Sequence, residues 1–415
     1  MELQEFGRSS DDILATIASK RQGDARWQEG RTFGLVYDGG PEVHAIAEAV
    51  ARIYLHDNAL NTIAFPSLGE MQSEVCAWTA ALLHEPNAAG FLTSGGTESI
   101  LCAVLAARER GRVERGIDAP EMVLADTAHA AFHKAAHLFG VRVHKVPCRP
   151  DFRADVDAMA ECVNERTVLV VGSAPQYPQG VVDPIPELSA VAARVGASMH
   201  VDACMGGFVL PFVEQLGHAV APWDFRVEGV TTISADVHKL GYAPKGASVI
   251  LHRDKRLRQY QTFVFDDWLG GFYASPNLLG SRSGLPIACA WAVMQHLGLD
   301  GYRRRTESVL ATRDRIVEAI TAIDGIEVLA PPDAQIVTMC ASPGSGVDVF
   351  AVGDELRRRG AWYLDRQTPP DSLHATVSAG NAPVVEEYVA DLAASVAAVA
   401  DTRAADRSTD YSTLD

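Results

Sequence analysis

Two kinds of apolar pattern alternate along the middle of the chain, between about residues 60 and 300. The first is a short apolar run rich in β-branched residues, which is typical of buried strands. These runs are Thr167–Gly172, Ala197–Ala203, Val230–Asp236 and Ala247–His252. The second is an apolar stripe at helical spacing. It occurs over Glu98–Arg110, Ala128–Phe139, Pro186–Val195 and Leu285–Leu297. Strands that alternate with helices of this length predict an α/β domain with a mainly parallel sheet.

The pattern changes after about Gly301. A long helical stripe over Tyr302–Ile323 is followed by short apolar strands and by two further helices, Val349–Arg359 and Ala382–Val399. This mixture predicts a smaller α+β domain. The first 60 residues carry one clear helical pattern, Pro41–Leu55, and otherwise resemble an arm that packs on something else. The expected organisation is an arm (1–60), a large α/β domain (61–300), a small domain (301–400) and a flexible polar tail (401–415).

The composition removes several classes of function. The 415 residues include 53 acidic and 36 basic side chains, for a net charge of −17. A field of this sign repels nucleic acid and anionic lipid surfaces. No apolar run approaches the roughly 20 residues that span a bilayer, and the first residues do not resemble a secretory signal. The seven cysteines are scattered without a C-x-x-C pair, which indicates a soluble protein in a reducing cytoplasm.

A glycine turn precedes the helical stripe that begins at Glu98. The segment Thr93–Ser99 reads T-S-G-G-T-E-S, in which Gly95 and Gly96 allow close approach of the backbone to a ligand and Thr97 is a suitable N-cap. Free N–H groups at a helix N-terminus suit a phosphate. The segment is neither a Walker loop nor G-x-G-x-x-G. By itself it fits a plain strand–turn–helix equally well.

An aspartate ends one of the apolar strands. Asp202 follows His200 and Val201, at the carboxyl edge where open α/β sheets bind their ligands. A carboxylate at this edge could pair with a positively charged ring nitrogen. A cap for the following turn is the alternative interpretation.

A lysine follows another apolar strand. Lys239 is one of only six lysines in the chain. A lysine amine can become a nucleophile and form an imine, which an arginine cannot do. Burial beside the strand is expected to lower its pKa. An ordinary surface lysine is the alternative.

The order of these three segments suggests one cofactor. Pyridoxal 5′-phosphate requires a cradle for its phosphate, a carboxylate at its ring nitrogen and an amine for its aldehyde. The glycine turn, Asp202 and Lys239 provide one of each within a single α/β domain. Their combination predicts a pyridoxal 5′-phosphate site.

Longer motifs around these residues resemble the sphingosine-1-phosphate lyases, in the group II decarboxylase branch of the fold-type I pyridoxal phosphate enzymes. The resemblance runs from about Tyr37 to Ile323 and is strongest between Phe91 and Leu297. The C-terminal domain resembles the family mainly in pattern. The motifs are T-S-G-G-T-E-S, H-V-D-A-C-x-G-G-F, S-A-D-x-H-K-x-G-Y-A-P-K-G and Y-A-S-P…G-S-R.

The resemblance implies roles for the cofactor-binding residues. Lys239 would carry the covalent link to the cofactor, Asp202 would pair with its ring nitrogen, and His129 would stack on its ring. The residues implied to hold the cofactor phosphate are Gly96, Thr97 and His238, and Gly95 is a further cofactor-binding residue. In this family the loop Gly280-Ser281-Arg282 reaches the cofactor of a neighbouring subunit, which implies a homodimer with shared active sites.

The resemblance also implies substrate-binding residues. Tyr37 and Lys245 match positions that bind the substrate's own phosphate, and Tyr177 matches a position proposed for proton transfer. One position departs from the family, because the usual N-P-L-H reads N-A-L-N here and ends in Asn61. Asparagine can donate a hydrogen bond but carries no charge. This change weakens the inference of a phosphorylated substrate.

The activity implied by the resemblance is carbon–carbon cleavage of a phosphorylated long-chain base, which yields a fatty aldehyde and phosphoethanolamine. A group II amino-acid decarboxylase is the second hypothesis, which the Asn61 departure keeps open, although no arginine stands out to bind a substrate carboxylate. The third hypothesis is a catalytically silent binding protein with this fold.

One alternative concerns the histidines. His129, His133 and His137 are spaced to share one helix face and could bind a metal. No H-E-x-x-H motif or carboxylate pattern completes such a site, so no metal is expected. His133 and His137 are interpreted as surface residues, and Cys204 as a small buried side chain.

Overall fold

The computed structural model describes residues 3–399 and 402–412. The helices of this part of the chain are α1 (Ser10–Lys20), α2 (Pro41–Tyr54), α3 (Pro66–Leu82), α4 (Gly96–Arg115), α5 (Ala131–Phe139), α6 (Val156–Cys162), α7 (Ile185–Ala193), α8 (Leu210–Gln215), α9 (Lys255–Arg258), α10 (Leu285–Ala322), α11 (Val349–Gly360) and α12 (Val385–Ala398). The strands are β1 (Ala89–Thr93), β2 (Glu121–Ala125), β3 (Arg142–Val146), β4 (Thr167–Ser173), β5 (Ser198–Asp202), β6 (Val230–Ala235), β7 (Ser248–His252), β8 (Phe263–Phe265), β9 (Tyr273–Ser275), β10 (Ile326–Val328), β11 (Ile336–Ala341), β12 (Asp365–Gln367) and β13 (Ser372–Thr376).

Seven strands form the large sheet, in the order β1-β7-β6-β5-β4-β2-β3. Strands β2 to β6 pair in parallel, whereas β7 is antiparallel to its two neighbours, β1 and β6. Every residue of β2, β4, β5 and β7 is buried. Burial on both faces explains why these strands read as continuous apolar runs. The predicted α/β domain with a mainly parallel sheet is confirmed.

The small domain is a four-stranded antiparallel sheet in the order β10-β11-β13-β12, with α11 and α12 among its helices. It has its own core, in which Phe350, Trp362 and Tyr388 are almost completely buried. The predicted smaller α+β domain is confirmed.

Two consecutive helices, which together make up α10, connect the two domains. The sequence predicts separate helices over Leu285–Leu297 and Tyr302–Ile323, and α10 is interrupted between them by a kink at the non-helical residue Gly298. Gly298 has φ 54°, a left-handed conformation that glycine adopts at little steric cost. The two predicted helices are therefore confirmed, and they meet at the kink.

The residues before α2 lie partly against the small domain. Thr32 pairs with Tyr363 in a short bridge, and the Asn381 side chain donates hydrogen bonds to the carbonyls of Gly30 and Thr32. Helix α1, in contrast, buries none of its residues. The domain boundaries remain a prediction.

The C-terminal segment 402–412 also contacts the small domain. The Ala404 amide donates to the Asp348 carboxylate at 3.1 Å, and the Arg407 guanidinium pairs with Asp348 at 2.8 Å and with Asp371. Arg366 donates to the carbonyl of Asp406. The predicted flexibility of the tail concerns motion and remains a prediction. None of the helices within 3–399 and 402–412 combines the length and apolar character needed to cross a bilayer.

Candidate active site

The carboxyl ends of β5 and β6 bring two predicted site residues together. Asp202 ends β5 opposite Ser234 of β6, and Lys239 follows β6 by four residues. The Asp202 side chain is buried, and its Oδ1 accepts hydrogen bonds from the Ser234 hydroxyl and the Cys204 amide, both at 3.1 Å. Its Oδ2 is thereby left to accept a hydrogen bond from a bound group. Asp202 and Lys239 line the same small pocket.

Lys239 forms an ion pair that the sequence analysis did not anticipate. Its Nζ lies 3.1 Å from Oδ2 of Asp236, which is almost fully buried. Burial lowers the pKa of Lys239, but Asp236 more than offsets this effect and raises it well above its usual value. Burial likewise raises the pKa of Asp236, while Lys239 and His238 lower it well below its usual range. The expectation of a lowered lysine pKa is therefore wrong in this state.

The glycine turn forms the start of α4. The helix begins at Gly96 with Gly95 as its N-cap, and no side chain caps it. The expected N-cap role of Thr97 is wrong, because Thr97 already lies in the first helical turn. The first N–H groups and the positive end of the helix dipole remain available to an anion. Gly96 and Thr97 line the Lys239 pocket.

The chain has no room for a side chain at Gly96. A Cβ atom there would lie 2.8 Å from Oδ2 of Asp236 and 2.8 Å from Sγ of Cys204. Cys204 is buried as expected, and burial raises the pKa of its thiol well above the usual value. A neutral thiol at this position packs against the turn instead of acting as a nucleophile.

His129 lies before α5 and not within it. Its Nδ1 accepts from the amide of Ala131 at 3.1 Å, so Nε2 carries the proton and donates to the Tyr411 hydroxyl at 3.2 Å. Burial lowers the pKa of His129, which favours the neutral ring. The three-histidine helix face does not form, because only His133 and His137 lie on α5, where both are exposed. No group of three potential metal ligands occurs within the described residues.

His238 lies beside the glycine turn. Its Nδ1 accepts from the amides of Gly246 and Ala247 at 3.3 and 3.2 Å, and its Nε2 lies 3.5 Å from Oδ2 of Asp236. A Cβ atom on Gly95 would lie 3.3 Å from the His238 ring. The imidazole therefore borders the space in front of the α4 N-terminus.

Tyr37 and Lys245 form a second polar group, close enough to Lys239 for its charge to act on both. The Lys245 amine lies 4.5 Å from the centre of the Tyr37 ring and donates to the carbonyl of His238 at 3.1 Å. Loss of hydration around the amine, together with the charge of Lys239, lowers the pKa of Lys245 to about 8. Burial raises the pKa of Tyr37 to about 12, although Lys239 acts in the opposite direction.

Tyr177 belongs to a cluster that only the tertiary structure assembles. Its hydroxyl donates to Oδ2 of Asp365 at 2.6 Å, and its ring lies 4.2 Å from the ring of His374. Tyr411 packs edge-on against Tyr177 at 5.2 Å. The sequence predicted no role for three residues of this cluster, namely Asp365, His374 and Tyr411, nor for Asp236. Asp236 stands within the quoted S-A-D-x-H-K motif, whereas the other three carry no local signal.

Three predicted site residues lie away from the Lys239 pocket, in another region of the surface. Asn61, Gly280 and Ser281 are not among the described residues that line the Lys239 pocket. Asn61 is exposed, and its Oδ1 accepts from the amides of its own turn. The turn around Asn58 pairs with the chain at Ser283, so the three residues share one region of the surface. The role of Asn61 at the substrate phosphate remains a prediction, as does the role of Gly280 and Ser281 at the cofactor of a neighbouring subunit.

The assembled residues match the requirements of pyridoxal 5′-phosphate. The uncapped helix start at Gly96 suits its phosphate, the available Oδ2 of Asp202 suits its ring nitrogen, and the Lys239 amine suits its aldehyde. The glycine at position 96 keeps the cradle open. The neutral His129 ring borders the same pocket.

The comparison with protein families agrees with this chemistry. Residues 11–341 match the pyridoxal-dependent decarboxylase conserved domain. Because the match covers well over half of the chain, the protein belongs to this family of pyridoxal 5′-phosphate-dependent enzymes. The predicted cofactor is confirmed.

Relatives narrow the assignment within that family. A sphingosine-1-phosphate lyase from Oryza sativa is 41% identical over 396 residues, which cover 93% of this chain and 72% of that lyase. The structure of a sphingosine-1-phosphate lyase from Burkholderia pseudomallei is 40% identical, with a TM-score of 0.91 over 96% of this chain and 92% of the other. The chain accordingly belongs with the sphingosine-1-phosphate lyases, and the predicted lyase class is confirmed.

A more distant structure shows how widely the fold is shared. Glutamate decarboxylase from Lactobacillus brevis is 20% identical, with a TM-score of 0.85 over 97% of this chain and 95% of the other. At this identity the likeness concerns the fold alone. The predicted fold-type I architecture is confirmed.

Proposed function

We propose that this enzyme cleaves a phosphorylated long-chain base, as the names of its relatives indicate for those proteins, to a fatty aldehyde and phosphoethanolamine. The observation that carries the proposal is the Lys245 amine. It lies outside the glycine turn and within range of the Lys239 charge, and within residues 3–399 and 402–412 no carboxylate forms an ion pair with it. A second cation close to the reactive amine suits the substrate's own phosphate.

The cofactor and the protein divide the chemistry. Bound pyridoxal 5′-phosphate supplies an aldehyde for the substrate amine and a cationic ring that withdraws electrons from the substrate's α carbon. In the proposal, Lys239 holds the cofactor covalently and Asp202 keeps its ring nitrogen protonated through Oδ2. The α4 N-terminus, with Thr97 and His238, holds its phosphate, and His129 packs on the ring.

The protein must also move one proton. The substrate's 3-hydroxyl loses its proton as the bond between Cα and C3 breaks, and Cα later gains one. Tyr177 and the Lys239 amine are the two candidates for this transfer, since both line the pocket. Tyr37 and Lys245 hold the far end of the polar headgroup in place, which keeps the 3-hydroxyl oriented.

The test compares two substrate classes. The purified enzyme, loaded with pyridoxal 5′-phosphate, is incubated with sphingosine-1-phosphate and, separately, with a panel of amino acids. We expect fatty aldehyde from the first and no carbon dioxide from the second. Lys239→Ala protein is the matched control and should give neither product. Carbon dioxide from an amino acid without fatty aldehyde would overturn the proposal in favour of a decarboxylase, the second candidate that the neutral Asn61 keeps open.

We further propose that the enzyme works as a homodimer. The hairpin β8–β9 exposes large apolar side chains to solvent. These are Phe263, Val264, Phe265, Trp268, Leu269 and Phe272. Helix α1 also exposes its apolar residues Ile13, Leu14 and Ile17. Patches of this kind mark protein interfaces. The hairpin leads directly to Gly280 and Ser281, so a second copy that covers it would receive this loop.

We also propose a cytoplasmic location. The seven cysteines are all free, which is typical of a reducing compartment. Fractionation of the source cells tests this proposal, and recovery of the enzyme with membranes would contradict it.

A further inference from the structure

Asp365 is a carboxylate without a cationic partner at the edge of the active site. It begins β12, and its Oδ2 accepts the Tyr177 hydroxyl proton at 2.6 Å. In the described part of the chain, no lysine, arginine or histidine nitrogen pairs with it. Burial raises the pKa of Asp365, and the hydrogen bond from Tyr177 only partly offsets this. Such a carboxylate is a better proton acceptor than an exposed aspartate.

The hydrogen bond sets the orientation of the Tyr177 proton. An ionised carboxylate can only accept, so the single phenolic proton points to Asp365. The lone pairs of the phenol oxygen are therefore left for a group inside the pocket that Tyr177 lines together with Lys239. While Asp365 is ionised, the Tyr177 oxygen can accept a proton if Tyr177 transfers its own proton to Asp365.

The surroundings leave Asp365 as the group that titrates. His374 packs on the Tyr177 ring, and its Nδ1 donates to the carbonyl of Pro178 while its Nε2 accepts from Thr376. Burial lowers the pKa of His374 to about 4, so its ring is neutral above that pH. Three phenols face Asp365, and burial raises the pKa of each: Tyr37, Tyr363 and Tyr411. Four further charged or imidazole side chains line the larger cavity that Asp365 also borders, namely Asp126, His129, Lys145 and Arg366, and none of them forms an ion pair with Asp365 in the described part of the chain.

We propose that Tyr177 and Asp365 form a proton relay, an inference that rests on the proposed lyase function. The substrate's 3-hydroxyl gives its proton to the Tyr177 oxygen while Tyr177 gives its own proton to Asp365. The electron pair of the broken O–H bond forms the aldehyde carbonyl, and the Cα–C3 pair stays on Cα, where the cofactor stabilises it. The proton then returns through Tyr177 to Cα, so the relay ends as it began.

The relay favours Tyr177 of the two candidates for proton transfer. In the cofactor-free chain Asp236 holds Lys239 as a cation, a state in which the amine can donate a proton but not accept one. Tyr177 has an acceptor behind it, and Asp365 acts through Tyr177 without touching the substrate. Asp365 therefore positions the phenol and accepts its proton.

The test uses the holoenzyme and the substitution Asp365→Asn, which keeps the size and a hydrogen-bond acceptor but cannot take up a proton. We expect kcat to fall by about 10²-fold to 10³-fold with little change in KM, since general-base steps contribute about this much. The cofactor absorbance spectrum, which reports an intact site, should stay that of the wild type. Tyr177→Phe should give a similar loss, and the double variant should be no worse than the worse single variant.

The pH profile separates the relay from a structural role. The wild-type kcat should decline as the pH falls through the pKa of Asp365. This decline should persist in Asp365→Glu, which restores a carboxylate, and vanish in Asp365→Asn. Asp354→Asn is the matched control, because Asp354 pairs with Arg366 on the same domain. If Asp365→Asn keeps the kcat and the pH profile of the wild type, the relay is wrong while the proposed function stands. Absence of fatty aldehyde from the wild type would overturn the proposed function and the relay with it.

Discussion

At the scale of single residues, Asp236 sets the charge of the reactive lysine. The residue follows β6 directly and is almost fully buried, with Lys239 at 3.1 Å and His238 at 3.5 Å. Its Oδ1 has no hydrogen-bond partner among the described residues. A buried carboxylate of this kind is stable only because the neighbouring cation compensates its charge.

The ion pair predicts how the stability of the apoprotein depends on this residue. Asp236→Asn leaves the Lys239 charge buried without a partner, which costs about 3 kcal/mol or more of unfolding free energy. Urea unfolding of the apoprotein at pH 7 measures the loss. Asp236→Asn with Lys239→Met removes both charges and should recover much of the stability. A loss below about 1 kcal/mol in the single variant contradicts the ion pair.

The same pair predicts a pH dependence. The pKa of Asp236 is lowered in the folded protein, so its contribution is present above its unfolded pKa near 4 and declines as the pH falls further. The pKa of Lys239 is raised, so its contribution is present below about pH 10 and declines at higher pH. The difference in unfolding free energy between wild type and Asp236→Asn should therefore be greatest between these limits.

A third prediction at this scale concerns Lys245. Lys245→Met removes the cation that lies over Tyr37 and should raise KM for a phosphorylated substrate at least tenfold, with a smaller effect on its unphosphorylated analogue. Steady-state kinetics with both compounds measure the difference. Lys134→Met, on the exposed face of α5, is the control. Equal effects of Lys245→Met on the two substrates would place the substrate phosphate elsewhere.

At the scale of elements, the C-terminal segment 402–412 brings a side chain back to the active site. Tyr411 accepts the hydrogen bond from His129 and packs on Tyr177. It lines both the Lys239 pocket and a neighbouring cavity of about 560 Å³, and Asp365 and Arg366 also line that cavity. The tyrosine thus stands between the two spaces.

This placement predicts that the segment restricts access to the cofactor. Tyr411→Ala should increase the rate at which hydroxylamine reacts with bound cofactor, because it opens the pocket to the larger cavity. The change in cofactor absorbance with time measures this rate, and the anchors at Arg407 remain in place. Tyr260→Phe, at a tyrosine that contacts Glu114, is the control. An unchanged hydroxylamine rate in Tyr411→Ala would contradict the restriction.

A comparison of predicted and observed strands shows which elements the local sequence pattern can predict. The predicted strands Thr167–Gly172 and Val230–Asp236 agree with β4 and β6 within one residue, because buried parallel strands have a continuous apolar signature. The short strand β12 carries no such run, and it brings Asp365 to Tyr177. Pairing with β13 creates that strand. Local propensity cannot report a partner that is distant in sequence.

At the scale of the whole molecule, the exposed apolar hairpin predicts association. The substitutions Trp268→Lys and Leu269→Glu place charges in the apolar surface and should convert the proposed dimer to a monomer. Sedimentation equilibrium measures the change, with Leu299→Glu, at an exposed leucine outside the hairpin, as the control. A wild-type monomer, or a dimer that survives both substitutions, would contradict the proposed interface. The monomeric variant should also lose activity if Ser281 completes the partner's site.

The sequence by itself determined the α/β class of the large domain, the smaller α+β domain and the lyase family, and it predicted the residues that would meet the cofactor. Gly96, Asp202 and Lys239 each stand at the end of a recognisable apolar run or at the start of a helical stripe, and the ends of parallel strands converge. The tertiary structure decided the charge state of Lys239 and which residues contact Tyr177. Asp365, His374 and Tyr411 lie more than 180 residues beyond Tyr177 along the chain, so only packing of the small domain and tail against the large domain brings them together. Charge and burial follow from those distant neighbours, which no local pattern encodes.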